Sequence, residues 1–215
     1  MIHLENVTTE RGDSMSFEIL PGESCKLITN SESGERLLLQ TIIGRRKPLA
    51  GKVFVFGMDI YSLPETERLK VFRRLGIVWK EGGLISNLKV WENVLLPACY
   101  HGPNRLGAIE EKMTDLFTRL GMDLSTDYLG RLPGPLPASE KCLIGAVRAM
   151  LMEPELMIYD SIFEGLYPEI AERLATLTSS FHTERPGRTS VYVTSHERSV
   201  AHIQADKVLR PHGTR

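Results

Sequence analysis

A six-residue polar loop, Thr29-Asn30-Ser31-Glu32-Ser33-Gly34, separates an apolar strand ending at Ile28 from an apolar helical run that opens near Leu37. Strand, short loop and helix is the arrangement that cradles phosphates. Its chemistry needs glycines that let backbone N–H groups approach the anion, a Lys to neutralise it, and a Ser or Thr to hold Mg²⁺. Laid on the pattern G-x-x-x-x-G-K-S/T, the chain offers Thr29 for the first glycine, keeps Gly34, and puts Glu35 at the lysine and Arg36 at the hydroxyl. Thr29, Gly34, Glu35, Arg36 and Leu37 thus outline a phosphate loop whose charge is reversed. By itself this pattern is too weak to establish such a loop.

The elements that must position this loop are readable from periodicity. Ser16–Leu20 alternates, Pro21-Gly22-Glu23 turns, and Ser24–Ile28 runs back into the core. Leu37, Leu38, Leu39, Ile42 and Ile43 give a helix that ends at Gly44. Strands are expected over 51–57 and 75–79, and a helical block over about 82–121 that includes Leu106–Leu120. The last third alternates: helix 140–151, strand 156–160, helix 167–183, strand 190–194, a short helix 198–203 and strand 207–209. That alternation predicts an α/β fold with a parallel sheet covered on both faces and a helical subdomain inserted in it.

Composition narrows the function classes. The 215 residues suit one substantial core, 42% are apolar and 25% charged, and the formal net charge is −1. Nothing here suggests a nucleic-acid binder that works by bulk positive charge. No apolar run approaches about 18 residues and the start MIHLENVTTERGD lacks a signal-peptide shape, so membrane association is expected only through a partner. Cys25, Cys99 and Cys142 lack C-x-x-C and metal-ligand spacing and read as small buried residues in a reducing cytoplasm; no metal site is expected.

Along nearly its whole length the chain resembles the ABC-transporter ATPases. Gly51–Ile60 is similar to the family's hairpin after the phosphate-loop helix, and Arg74–Lys80 to the strand entering the Q-loop. Glu81–Val94 resembles the run that opens the helical subdomain, Gly145–Met150 the "A-I-A-R-A-L" helix, and Glu153–Asp160 the Walker B strand. Glu164–Pro168 stands where "S-G-L-D-P" would, and Val193–Glu197 resembles the H-loop. The wording EGGLISNLKVWENVLLP and the G-L-x-P run look most like the ATPases of Mla-type, MCE-associated lipid transporters. The resemblance implies a P-loop-NTPase (RecA-like) core with a mostly parallel sheet (1–81 and 141–215), an antiparallel β subdomain on its N-terminal side, and a helical subdomain over 82–140.

Position by position, the chain departs from that family. Glu10-Arg11-Gly12 occupies the neighbourhood of the adenine-stacking aromatic, and Lys80 takes the Q-loop glutamine's place. Leu136-Pro137-Ala138-Ser139-Glu140 replaces the signature L-S-G-G-Q, Ser161 the catalytic glutamate, and Tyr167 the D-loop aspartate. Asp160 and His196 alone keep their implied roles as Mg-associated aspartate and γ-phosphate sensor; with their partners gone they read as structural caps and hydrogen-bonding groups. Arg148 reads as an anchor for its helix.

Charge decides what these losses mean. A charge pair at ~4 Å is worth ~4 kcal/mol at an effective dielectric of about 20, so Lys-to-Glu reversal removes several kcal/mol from phosphate binding. Arg36 offsets part of that but carries no metal-binding hydroxyl, and Ser161 is no general base at neutral pH without an activating partner. Two readings of the acidic loop stand: Glu32 or Glu35 fills the anion site at the helix N-terminus, or both face solvent with Glu35 paired to a nearby Arg. The expected function is a pseudo-ATPase, a structural or regulatory subunit of a lipid-transport complex with no cofactor of its own. It would lie on the inner face of the cell membrane and grip an integral-membrane permease through Lys80, Leu84, Ile85, Leu88, Trp91 and Val94. The alternatives are an ATP- and Mg-using subunit with non-standard residues, a heterodimer with an active ATPase, or a homodimer. Pairing meets the difficulty that both the loop and the signature segment are damaged.

Overall fold

The structure, a computed structural model, describes residues 1–10, 14–99 and 106–211. The chain divides into two compact units. One comprises 1–75, 155–161 and 185–215, and the other 76–154 and 162–184.

The first unit holds two sheets. Strands β1 (Ile2–Thr8), β2 (Ser14–Ile19), β4 (Ala50–Val55) and β5 (Met58–Asp59) pair antiparallel in the order β2-β1-β4-β5. Strands β3 (Ser24–Ile28), β7 (Leu156–Asp160), β8 (Thr189–Thr194) and β9 (Lys207–Leu209) run parallel, side by side as β7-β8-β3-β9. Every residue of β8 is buried, the continuous burial that a parallel strand covered on both faces requires. Helix α1 (Glu32–Ile42) follows β3 and buries Leu38, Leu39 and Ile42. Helix α2 (Glu65–Phe72) also belongs to this unit, and Arg74 makes two hydrogen bonds to Glu155, at 2.9 and 2.7 Å, just before β7.

In the second unit, β6 (Leu75–Trp79) leads through turns into α3 (Val90–Cys99), α4 (Leu106–Leu120) and the single turn α5 (Thr126–Leu129). Helices α6 (Ala138–Met150) and α7 (Pro168–Thr183) complete it. Its core is aliphatic and aromatic: Val94, Phe117, Ile144, Val147, Leu174 and Phe181 are all fully buried. Because α6 packs on α3 and α7 on α4, this unit is larger than the 82–140 helical insertion.

Several local expectations change. Residues 80–89 form turns, not helix. Gly82 and Gly83 both take left-handed φ there (74° and 58°), and a Cβ on Gly82 would sit 2.0 Å from the Lys141 carbonyl oxygen, so only glycine lets this turn lie against α6. Helix α6 opens two residues early because Pro137, with its fixed φ, serves as the N-cap. The short helix expected at 198–203 is a 3₁₀ turn over Glu197–Val200. Cys25 and Cys142 are buried, and burial pushes the Cys25 thiol up to about 12. The Cys99 side chain, Arg11 and Gly12 lie outside the described residues.

Candidate functional site

The polar loop after β3 is shorter than its sequence suggests. Ser31, extended at φ −165°, caps α1 by accepting the Gly34 N–H on its hydroxyl oxygen at 3.2 Å, so the helix begins at Glu32 and not after Gly34. Thr29 is buried; its N–H donates to the Thr194 carbonyl at 2.9 Å, and its hydroxyl donates to the Ser31 carbonyl at 3.2 Å. No residue from 29 to 36 takes a left-handed φ. The loop thus lacks the αL turns that a glycine-rich phosphate cradle uses.

Glu35 lies on the first full turn of α1, and its side chain points inward. It is 6% exposed, whereas Glu32 and Arg36 face solvent. Its Oε1 accepts from the Ser161 hydroxyl at 2.5 Å, and its Oε2 accepts from the Ser195 backbone N–H at 2.7 Å. Both expected placements of Glu35 are therefore replaced. The carboxylate neither bonds the loop N–H groups nor lies in solvent beside an arginine; it bridges to the residues just past the ends of β7 and β8. The physical reason is local: capping by Ser31 starts the helix early, and that turns position 35 toward the sheet.

Ser161 is buried and held at φ 48°, its N–H on the Val193 carbonyl at 2.9 Å. A serine in this region is uncommon and persists where its surroundings fix it; here both its N–H and its hydroxyl are engaged. Its Oγ also lies 3.5 Å from Thr194 Oγ1, which accepts the His196 N–H at 3.0 Å. His196 is exposed, with Nδ1 3.3 Å from the Ser195 hydroxyl, and Asp160 is half-buried at the end of β7. The structure thus brings Thr29, Glu35, Asp160, Ser161 and His196 to one end of the parallel strands, where open α/β sheets bind ligands. Thr194 and Ser195 complete the network; the H-loop-like run contains both, but only His196 was singled out there, and their partners lie far away along the chain.

In the second unit Lys80 donates to Glu164 Oε2 at 2.7 Å, a partner that spacing alone did not identify. Glu140 accepts from the Tyr128 hydroxyl at 2.9 Å, and burial together with this bond raises the Tyr128 pKa well above its ordinary value. Leu136 is buried, Pro137 and Ala138 are exposed, and Ser139 is half-buried. Arg148 anchors α6 by donating to the Gly82 carbonyl at 2.9 Å, with burial lowering its pKa. Among the apolar residues expected to grip a partner, Ile85 and Trp91 are 42% exposed, Leu84 and Leu88 are half-buried, and Val94 is fully buried and belongs to the core. Leu132 is also exposed, and the residue before it accepts the Val90 N–H on its carbonyl at 2.9 Å. Asn93 is fully buried; its Oδ1 accepts from Ile85 N and its Nδ2 donates to the carbonyls of Ile85, Leu88 and Lys89.

A family model described as "ABC transporter" matches residues 13–164. The methionine import ATP-binding protein MetN of Rhizobium meliloti (strain 1021) is 30% identical over 194 residues, covering 90% of this chain and 53% of that protein. Its namesake in Rhodopseudomonas palustris (strain BisA53) is 28% identical over 203 residues, covering 94% and 53%. The chain spans about half the length of these curated relatives. In fold it is similar to the ATP-binding cassette MJ0796, solved as a dimer in a post-hydrolysis state with ADP and Pi. That match has a TM-score of 0.83 and 22% identity, over 99% of this chain and 94% of that one. It is also similar to cbiO1 of Clostridium perfringens, with a TM-score of 0.78 and 20% identity, over 98% and 84%. The α/β nucleotide-cassette fold stands on these likenesses. The named relatives are methionine importers, so the finer resemblance to lipid transporters finds no support in them.

Proposed function

The chain belongs to the ABC transporter family, and on that premise we propose that it is the cassette-type subunit of a membrane transport complex whose own site does not hydrolyse ATP. The observation that carries this reading is Ser161. The residue after the Walker B-like strand offers a hydroxyl already donated to Glu35, in place of a carboxylate that would orient and deprotonate water. Nucleotide and Mg²⁺ are the groups the fold family implies, and the residues here do not suit them. A buried carboxylate stands at the lysine position, and an exposed guanidinium stands where a metal-holding hydroxyl belongs.

The subunit grips an integral-membrane permease on the cytoplasmic face through Lys80, Leu84, Ile85, Leu88 and Trp91. In support, this face pairs exposed apolar side chains with a turn pinned by Asn93. Among the described residues, no helix is long and apolar enough to cross a membrane. The relatives' names make methionine, or an amino acid of similar size, the first cargo to test; a lipid cargo is not carried forward.

A second reading has its own support. The relatives are named ATP-binding proteins, and Asp160 and His196 stand at the ends of β7 and β8. On that reading the chain binds nucleotide through non-standard residues, alone or beside an active partner. Phosphate release from Mg-ATP separates the two. The first reading expects none above a protein-free blank; the second expects turnover that falls in His196→Ala.

A further inference from the structure

At the end of the parallel sheet, the disagreement between this site and the ligand its fold implies has a definite geometry. Glu35 is buried, and each of its carboxylate oxygens accepts one short hydrogen bond, from Ser161 Oγ at 2.5 Å and from Ser195 N at 2.7 Å. These partners come from the turns that leave two adjacent parallel strands, while Glu35 comes from the helix after a third. Three segments at this end of the sheet are thus tied to one side chain. A carboxylate with both oxygens occupied by N–H and O–H donors has what a bound anion would have. An incoming phosphate would have to break both bonds and then lie against the freed negative charge.

We propose that Glu35 is an internal ligand, a latch that takes the place of a nucleotide's phosphates and shuts the site to anions. The proposal rests on the reading of the chain as a non-hydrolysing cassette subunit and deepens it. The site is not merely missing catalytic groups; it is filled. The latch differs from a capping interaction, because Glu35 bonds none of the loop N–H groups. It differs from a surface ion pair, because its partners are a hydroxyl and a backbone amide and it is secluded from water.

The test uses the whole chain with sodium tripolyphosphate and Mg-ATP as probes, followed by thermal-shift titration. Wild type should show no saturable stabilisation up to millimolar concentration. Glu35→Gln is isosteric: its amide still accepts from Ser195 N and can donate to Ser161 Oγ, so it should melt close to wild type while losing the charge. It should bind tripolyphosphate at least about tenfold more tightly than wild type, and Glu35→Lys more tightly still, by on the order of 100-fold. If Glu35→Lys does not fold, Glu35→Gln decides alone. A folded Glu35→Gln with no gain would overturn the latch, since the loop itself would then exclude anions. Saturable binding by wild type without phosphate release overturns the latch and leaves the non-hydrolysing reading standing; wild-type phosphate release from Mg-ATP overturns both.

Discussion

Glu35 and Ser161 work as a pair, and each constrains what the other position tolerates. Restoring the family's acidic residue by Ser161→Glu puts a second carboxylate against a buried one whose partners are a hydroxyl and a backbone amide. Two like charges at that separation do not both ionise without penalty. The expected result is a loss of about 3 kcal/mol or more in urea-melt stability, with no gain in phosphate release. Glu35→Ala removes both acceptors, so that the Ser195 N–H loses its partner and the Ser161 hydroxyl loses its short bond in a secluded place. At about 1–3 kcal/mol for each unsatisfied group, it should lower stability by about 2–4 kcal/mol. The reversed charge at position 35 was legible in the sequence, because the phosphate-loop pattern fixes which residue type belongs there. Its destination was not. Ser161 lies 126 residues away and Ser195 160, and no local pattern encodes a partner at that separation.

Elements set these side chains in place through their ends. Strands β3, β6, β7 and β9 and helix α4 were readable to the residue, since apolar periodicity with Gly, Pro and polar stops marks both boundaries. The start of α1 was not, because the polar loop reads on to Gly34, whereas Ser31 caps the helix and starts it at Glu32. The 80–89 segment misled for a related reason: its apolar residues fall at helical spacing, but Gly82 and Gly83 take left-handed φ. Gly82→Ala should therefore cost several kcal/mol, opposite in sign to the ~1 kcal/mol that the same exchange gains inside a helix, and differential scanning calorimetry would read it. Asn93 offers a gentler probe. Asn93→Leu removes the bonds to Ile85, Leu88 and Lys89, so that the Ile85 N–H and the Leu88 carbonyl lose their bond to the side chain, while the Lys89 and Ile85 carbonyls keep backbone donors. The segment should then become susceptible to limited proteolysis near 85–89 while the first unit keeps its protection.

At the scale of the molecule, family membership and a closed site separate two properties that a transporter cassette normally joins, gripping a membrane subunit and burning nucleotide. On the proposed docking reading, the exposed pair Ile85 and Trp91 serves the first property. Trp91→Asp should leave the melting temperature within about 2 °C, since a 42% exposed side chain carries little of the core, yet shift the chain from the membrane fraction to the soluble fraction of its host. A chain that stays with the membrane would remove this face as the docking surface. The central claim, that the nucleotide site is filled from within, is tested most directly by calorimetric titration of Mg-ATP into the wild-type chain up to millimolar concentration. A site filled by Glu35 gives no saturable heat. A saturable isotherm with a micromolar Kd would contradict it, and would mean that the Glu35 carboxylate yields to phosphate.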